Sequence, residues 1–595
     1  MASNRPNVVV IVADDQGYGD FGFTGNPWLR TPELDRLAAD SVRLDEFHTD
    51  PMCAPSRAAL LTGAHSARAG VWSTLSGRYF LSRDLPTMAD RFRDAGYRTG
   101  MFGKWHLGDA THYLPHDRGF DEALYHGGGV IGEMPDHWDN DYFGGVFRRN
   151  GRPERVVDTY CTDLWFGEAT AFIERSVEAG TPFLCYLPVN APHVPYDVHE
   201  RYAEPYLAQG VPEDRARFFG MIANIDENVG RLRERLTALG VAEDTIVVYL
   251  GDNGTDGGAT VDGEGTLADG YNAGLRGKKC WATDGGHRNL CLLHWPAGGW
   301  TGGRDIRTVT AHFDLLPTLA ARCALDAPHD AALEGRDLSR LLEGDDDPSL
   351  EERAIVVHNQ QRDNPVKDKD FAVLTRDWRL VQTTEWGPGR RELHAADDTA
   401  QRHDLADVHP DVVERLGAVY DAWWDGLDDA FDQAWPAYLE TGGEEVTLTA
   451  HAWHGTEDRP GIYDQDHCRT GEIANGYWLV EVVDPGRYRF ELRRWPREVD
   501  RPITAGLPAR TGIPHVGDRP AGVALSIRTA RISVRPDDAD ATALSEATTD
   551  VGDAAHAVVH ACDLPAGRLR IQTWFTDDGG VERGAYYLYA TRVDS

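Results

Sequence analysis

Two adjacent carboxylates, Asp14 and Asp15, follow directly on an unbroken apolar run at residues 7–13. A second oxygen-bearing pair, Asp252-Asn253, follows a similar run at 245–250. Three carboxylates and an amide, with no His or Cys cluster beside them, suit a hard divalent cation rather than zinc, Ca2+ ahead of Mg2+ or Mn2+. Lys104 and His106 close a third apolar run; two residues apart, they point the same way on an extended segment. His193 follows a fourth, at 183–189. Cys53 lies in Pro51-Met52-Cys53-Ala54-Pro55-Ser56-Arg57, which runs into the apolar residues 58–62 and Gly63. Pro55 suits the first turn of a helix, so Cys53 stands at a helix N-terminus, where unpaired N–H groups favour anions. Taken singly, each feature has an ordinary reading: a buried Cys before a helix, a surface Lys, an incidental His. Together they supply what cleavage of a sulfate or phosphate ester needs: neutralised oxygens, an in-line nucleophile and a proton for the leaving oxygen.

Positioning those residues falls to strands that alternate with helical patterns, one opening at Thr31-Pro32-Glu33 with Leu34, Leu37 and Ala38 as its buried stripe, the others at 87–95, 158–178 and 218–239. Such alternation predicts an α/β fold with a mostly parallel central sheet flanked by helices. In such sheets ligands bind beyond the carboxyl ends of the strands. Four polar clusters at four strand ends are therefore expected to converge. Further strands are predicted at 97–102 and 290–295. Residues 109–165, rich in Gly, His, Asp and aromatics, read as an insertion walling a pocket; 255–275 and 358–390 are the other expected specificity loops.

Two tempting motifs are set aside. Gly17-Tyr18-Gly19-Asp20-Phe21-Gly22 matches a dinucleotide-binding pattern, but two carboxylates precede it and Pro27 falls where a helix should begin. Asp252 opens a calcium-loop look-alike, but Gly263 occupies the position of the bidentate Glu.

At 595 residues the chain is too long for one core. The sequence reads as a catalytic α/β unit at 1–345, a small α+β subdomain at 346–440 and a C-terminal β-sandwich at 441–595. The subdomain is expected to have strands at 354–358, 371–375 and 378–382 and a helix at 411–424. Its His358, Gln360 and Arg362 are candidates for the pocket rim, with His358 and Arg362 as substrate contacts. The last part shows short alternating runs at 446–450, 477–483, 488–493, 523–527, 558–561 and 585–592 between Gly, Pro and Asp turns, and a structural role is expected for it. A formal charge of −36 argues against nucleic acid or an anionic membrane as partner. Eight cysteines without a Cys-x-x-Cys pair argue against a disulfide scaffold. The start of the chain runs straight into a strand with no secretory leader visible, so a cytoplasmic location is expected. Only five lysines occur, and Lys104, Lys278 and Lys279 all fall beside these motifs.

Cys-x-Pro-Ser-Arg followed by Leu61-Thr62-Gly63 resembles the signature of the type I sulfatases, in the alkaline phosphatase superfamily. The resemblance covers roughly residues 5 to 400, with motifs in family order. It implies that Cys53 is oxidised to formylglycine by a formylglycine-generating enzyme. The hydrated aldehyde would then join Asp14, Asp15, Asp252 and Asn253 at the metal and attack the sulfur of a small-molecule or saccharide sulfate ester. By the same resemblance, Arg57 steadies the diol, Lys104 binds the sulfate oxygens and His106 takes the second hydroxyl's proton. His193 and a lysine meet the leaving oxygen, one of them as general acid. The family spacing of Lys, four residues and Glu-Gly-Gly lands on Lys279, with Lys278 as the neighbour; this chain has Asp284 where the family has Glu. A phosphonate monoester or phosphodiester hydrolase of the superfamily, or a non-catalytic binding relative, is the alternative.

Overall fold

The computed structural model describes residues 5–325, 333–384, 389–440, 445–455, 461–538 and 541–593. The first four residues, part of the 358–390 loop (385–388) and the junction at 441–444 fall outside these.

The Val/Ile run is strand β1 (Asn7–Ala13), its side chains from Val8 onward fully buried. It lies at the middle of an eleven-stranded sheet. An apolar run of this kind has no wet face to present, which suits a strand covered on both sides by helices. Helix α1 (Pro32–Asp40) follows, burying Leu34, Leu37 and Ala38. The Thr31 hydroxyl does not cap it; Asp226, from a distant helix, accepts from the N–H groups of Glu33 and Leu34 at 2.9 and 2.7 Å. Next come β2 (Val42–His48), α2 (Cys53–Thr62), α3 (Met88–Asp94), β3 (Arg98–Lys104), β4 (Glu122–His126), β5 (Gly145–Arg149) and β6 (Arg152–Val156). Then follow α4 (Cys161–Glu178), β7 (Phe183–Pro188), α5 (Glu200–Leu207), α6 (Glu213–Ala238), β8 (Thr245–Gly251), a short hairpin β9 (Thr260–Val261) and β10 (Leu267–Asp269), α7 (Asp284–His287), β11 (Arg288–His294), β12 (Arg304–Ile306) and β13 (Thr310–Ala311).

The sheet order is β12-β2-β11-β8-β1-β7-β3-β4-β5-β6, with β13 beside β2. From β8 through β4 every pairing is parallel. Outside that block the sheet is mixed: β11 runs antiparallel to both β8 and β2, and β5 and β6 form an antiparallel edge. The apolar pattern of β11 predicts a strand but carries no direction. Strand β2 escapes a reading by apolar runs because Arg43, Asp45 and Glu46 interrupt it.

A four-stranded antiparallel sheet, β14 (Ile355–His358), β15 (Phe371–Leu374), β16 (Trp378–Thr383) and β17 (Arg390–Ala395), packs one face on the helix Pro410–Asp425 through Val412, Leu416 and Tyr420. Its other face meets Ala59 of α2 and Phe313, so this sheet backs the helix that begins at Cys53.

Two more sheets complete the chain. One orders strands Ala437–Leu439, Tyr477–Val482, Gly567–Asp577, Ile527–Pro536 and Ser545–Asp550; the other, Val446–Thr449, Tyr587–Arg592, Gly486–Arg493 and Val558–Leu564. The expected strand at 523–527 is corrected: it begins at Ile527 and runs to Pro536. Residues before it are tied elsewhere, Val523 to the Arg469 carbonyl and Leu525 to that of Thr504. The apolar cluster that includes Val8 and Val10 continues to Phe490 and Ile571. Among the described residues no helix is long and apolar enough to cross a membrane.

Candidate active site

Strand ends do bring the polar clusters together. Asp14 and Asp15 leave β1, Lys104 ends β3, His193 follows β7, and Asp252 and Asn253 follow β8. Asp15 adopts φ +71°, the left-handed region that non-glycine residues rarely occupy. Its N–H donates to Asp252 Oδ1 at 3.0 Å, which holds that turn. Close approach of the loops depends on glycine. A Cβ on Gly251 would lie 1.9 Å from the Gln16 carbonyl oxygen, and one on Gly17 2.3 Å from the Thr255 nitrogen. The early glycines thus admit neighbouring backbone, which accounts for the pattern that imitates a dinucleotide motif.

Three buried ion pairs result. Lys104 Nζ donates to both Asp14 oxygens at 2.9 and 2.8 Å. Arg57, projecting from α2, donates through Nε and Nη2 to Asp252 Oδ2 at 3.1 and 2.8 Å, and its Nη2 lies 3.4 Å from Asp14. Lys279 Nζ meets Asp15 at 2.7 Å. Burial pushes the Asp14 carboxyl up, but Lys104, His193 and Arg57 outweigh it and leave the group below the usual carboxylate range. At Asp252 burial, helped by Asp14, wins over Arg57 and the carboxyl is raised. Lys278 takes a different path, to Asp256 at 2.9 Å.

Cys53 is the first residue of α2 and 2 % exposed, with Sγ 4.0 Å from Asp15 Oδ1. Burial pushes its thiol up. Asp14, Asp15, Cys53 and His193 place one ligand atom each within 4.8 Å of one another. Asn253 donates its amide to Asp15 at 2.9 Å, and its Oδ1 is buried with no partner. Three carboxylates and a spare amide oxygen fit a hard cation.

His193 sits with Nδ1 2.7 Å from the Val194 carbonyl and Nε2 3.5 Å from Asp15. Burial and Lys104 push the His106 imidazole well down, so it is neutral near pH 7. With Nε2 3.3 Å from the Thr74 carbonyl as donor, Nδ1 is left as a buried lone pair without a partner. Gly129 lies against its ring: a Cβ there would come within 2.6 Å of Cε1. Behind His106 stand Glu133 and His451, a grouping that sequence reading missed. Burial raises the Glu133 carboxyl to about 8.

A cavity of about 500 Å³ opens onto Cys53, His106, His193 and Lys279. Of the expected specificity loops, 109–165 lines it, through Gly129–Ile131, Glu133 and Asp141. The other two do not, among the described residues. His358 and Arg362 are corrected as rim candidates: the His358 ring packs against Trp423 and Trp424 at 5.4 and 5.5 Å, and the Arg362 carbonyl accepts from Trp72. Their place is taken by Tyr463, Asp464, Asp466 and residues 516–519 of the C-terminal part. Asp284 faces Gln401 and Arg379.

A family model described as Sulfatase matches residues 6–323, more than half of the chain. The chain is 29% identical to N-acetylgalactosamine-6-sulfatase of Mus musculus over 429 residues, 68% of this chain and 79% of that protein. It is 28% identical to an ulvan-active sulfatase of Formosa agariphila over 425 residues, 67% of this chain and 77% of that protein. The solved structure of Ps i-CgsB in complex with k-i-k-neocarrahexaose superposes with a TM-score of 0.63 at 26% identity, over 71% of this chain and 93% of that one.

Proposed function

The chain belongs to the sulfatase family and is a sulfuric ester hydrolase; from that premise we propose that it cleaves saccharide sulfate monoesters with a formylglycine made from Cys53 and a Ca2+ ion. The supporting observation is a cavity lined by Cys53, His106, His193 and Lys279, with Asp14, Asp15 and Asp252 ion-paired to Lys104, Lys279 and Arg57 beside Cys53. Relatives named for sugar sulfates support the saccharide class. Overall, water and R–O–SO3⁻ give R–OH, sulfate dianion and a proton, the S–O bond to the leaving group being exchanged for one to a water-derived oxygen.

Asp14, Asp15, Asp252 and Asn253 would hold the cation, which when bound supplies positive charge opposite the sulfate oxygens. Formylglycine at position 53 supplies an oxygen nucleophile through its hydrate. Because Cys53 is buried at the start of α2, its conversion by a formylglycine-generating enzyme would precede folding of that helix. Lys104, anchored by Asp14, and Arg57, anchored by Asp252, set fixed positive charge beside position 53. His106 Nδ1 is a neutral lone pair ready to accept a proton. His193 and Lys279, both at Asp15 and both open to the cavity, hold the leaving oxygen, and one of them gives it a proton.

Mass spectrometry of the peptide spanning residues 44–57, on enzyme that releases sulfate from an aryl sulfate, tests the nucleophile. An aldehyde in place of the thiomethyl group is expected; a fully active enzyme with an intact thiol would sink the reading. Lys279→Ala should lower kcat/KM by about 100-fold or more, whereas Lys278→Ala should stay within about threefold, its partner Asp256 lying outside the cation cluster. The opposite ranking would move the role to Lys278. Chelation should abolish turnover and lower Tm, since a cation that binds only the folded state stabilises it. An unchanged Tm and rate after removal of all bound metal, verified by elemental analysis, would overturn the cation site.

A further inference from the structure

The cavity has a floor that carries Lys279, paired with Asp15, and His193, and it has an acidic rim. Lys279 and His193 stand at the floor beside Cys53, while Asp141, Asp197, Asp464, Asp466 and Asp518 line the outer wall with Arg519 as the one lysine or arginine among the lining residues there. Two of these carboxylates have arginine partners, Asp141 with Arg510 and Asp466 with Arg469, so the wall keeps a net negative charge. Much of it comes from beyond residue 460, for which the sequence suggests only a structural role.

That wall is anchored to the catalytic part. Residues Glu133 and Asp464 form a backbone bridge, and the Met134 N–H donates to the Tyr463 carbonyl at 2.8 Å. Gln465 donates to the Glu133 carbonyl at 3.0 Å and accepts from the Asp139 N–H at 3.0 Å. On the other side the Gly517 N–H donates to Asp197 at 3.3 Å. Tyr463, 41% exposed, offers an aromatic face at the rim.

We infer that the C-terminal part is a substrate-selecting wall: it accepts the sugar that leaves as an uncharged or amine-bearing polyol, with Tyr463 against its apolar face and the rim carboxylates accepting from its hydroxyls, and it rejects sugars carrying further anionic groups. This rests on the saccharide sulfatase reading above. A sulfate reaching the floor carries the rest of its sugar past the rim, where each added negative charge faces several carboxylates at once. At separations of some 8 Å in a wet cleft, three such pairs amount to about tenfold in kcat/KM. Carboxylates and aromatic faces are also the groups that hold neutral sugars through hydroxyls and C–H surfaces.

The test is a charge series on whichever sulfated hexosamine the enzyme turns over: the free amine, its N-acetyl form and a form bearing a second sulfate. The expected order of kcat/KM is amine, then N-acetyl, then disulfate, with about tenfold between the last two at low ionic strength and a narrower gap in high salt. The triple variant Asp464→Asn, Asp466→Asn, Asp518→Asn should bring the last two within about threefold. Asn still caps the helix Gln465–Thr470 that Asp464 starts. Should the triple variant not fold, Asp518→Asn alone, on an exposed loop, should narrow the gap about twofold. Equal or better turnover of the disulfate by the wild type, or an unchanged gap in the variants, overturns the wall. An enzyme that turns over aryl sulfate yet shows no such order fails here alone; one that releases no sulfate from any ester fails at the function itself.

Discussion

Cys53→Ala yields a folded protein that releases sulfate at least about 10⁴-fold more slowly than the mature enzyme, the scale on which removal of a covalent nucleophile acts. Position 53 is the first residue of α2, whose ten residues are all buried. Alanine keeps the helix start and removes only a sulfur atom that already borders a cavity. The structural cost is therefore small, about 1 kcal/mol, and circular dichroism and Tm should barely move. A direct thiolate mechanism makes the same variant inactive, so the second measurement is needed. Attack by sulfur on a sulfate ester leaves a thiosulfate-type adduct with no easy exit. Attack by an aldehyde hydrate leaves a second hydroxyl whose proton a base can take, and His106, a lining residue of the same cavity, keeps a buried Nδ1 lone pair without a partner. Wild-type protein made without the maturation enzyme should thus be as slow as Cys53→Ala although its thiol is intact. Full activity in that unmodified protein would reject the aldehyde; substantial activity in Cys53→Ala would reject the residue.

The inner half of this site was legible because its chemistry is local. Each functional cluster follows a buried apolar run, and strand ends in a parallel block share one edge whatever lies between them. Lys279 and Lys278 could be ranked only by a spacing rule, and the fold separates them: one reaches Asp15, the other Asp256. The outer half was not legible. Gln465 meets the Glu133 carbonyl across 332 residues, and neither segment carries a periodicity that announces the contact. His358 failed for a related reason. A histidine at a strand end looks the same whether the strand stops at a pocket or, as here, beneath Trp423 and Trp424. The direction of β11 and the existence of β2 depend on neighbours in the sheet, which local pattern does not encode. The C-terminal sheets were visible as alternating runs, yet the place of the segments between their strands, Tyr463 to Asp466 and Val516 to Arg519, at the cavity was not.

Asp252→Ala should be the most damaging single change to the frame of the site. Its Oδ2 takes two hydrogen bonds from Arg57 and its Oδ1 holds the N–H of Asp15. Removing it leaves a fully buried guanidinium with one long contact to Asp14 at 3.4 Å and one to the Lys104 carbonyl at 3.3 Å. An uncompensated buried charge of this kind costs about 3–5 kcal/mol. The left-handed turn at Asp15 also loses its tether. We expect a lower Tm, loss of bound metal and a fall in kcat/KM of about 10³-fold or more. Asp252→Asn separates these effects. It preserves shape and one acceptor for Arg57, so the stability loss should shrink to about 1–3 kcal/mol, while the missing charge still weakens cation binding. Elemental analysis together with Tm in the presence and absence of chelator reads the two apart. In the wild type chelation lowers Tm; in Asp252→Asn that difference should vanish at the same metal concentration. If Asp252→Asn retained stoichiometric metal and wild-type turnover, Asp252 would be a partner of Arg57 alone, and the cation would have to rest on Asp14, Asp15 and Asn253.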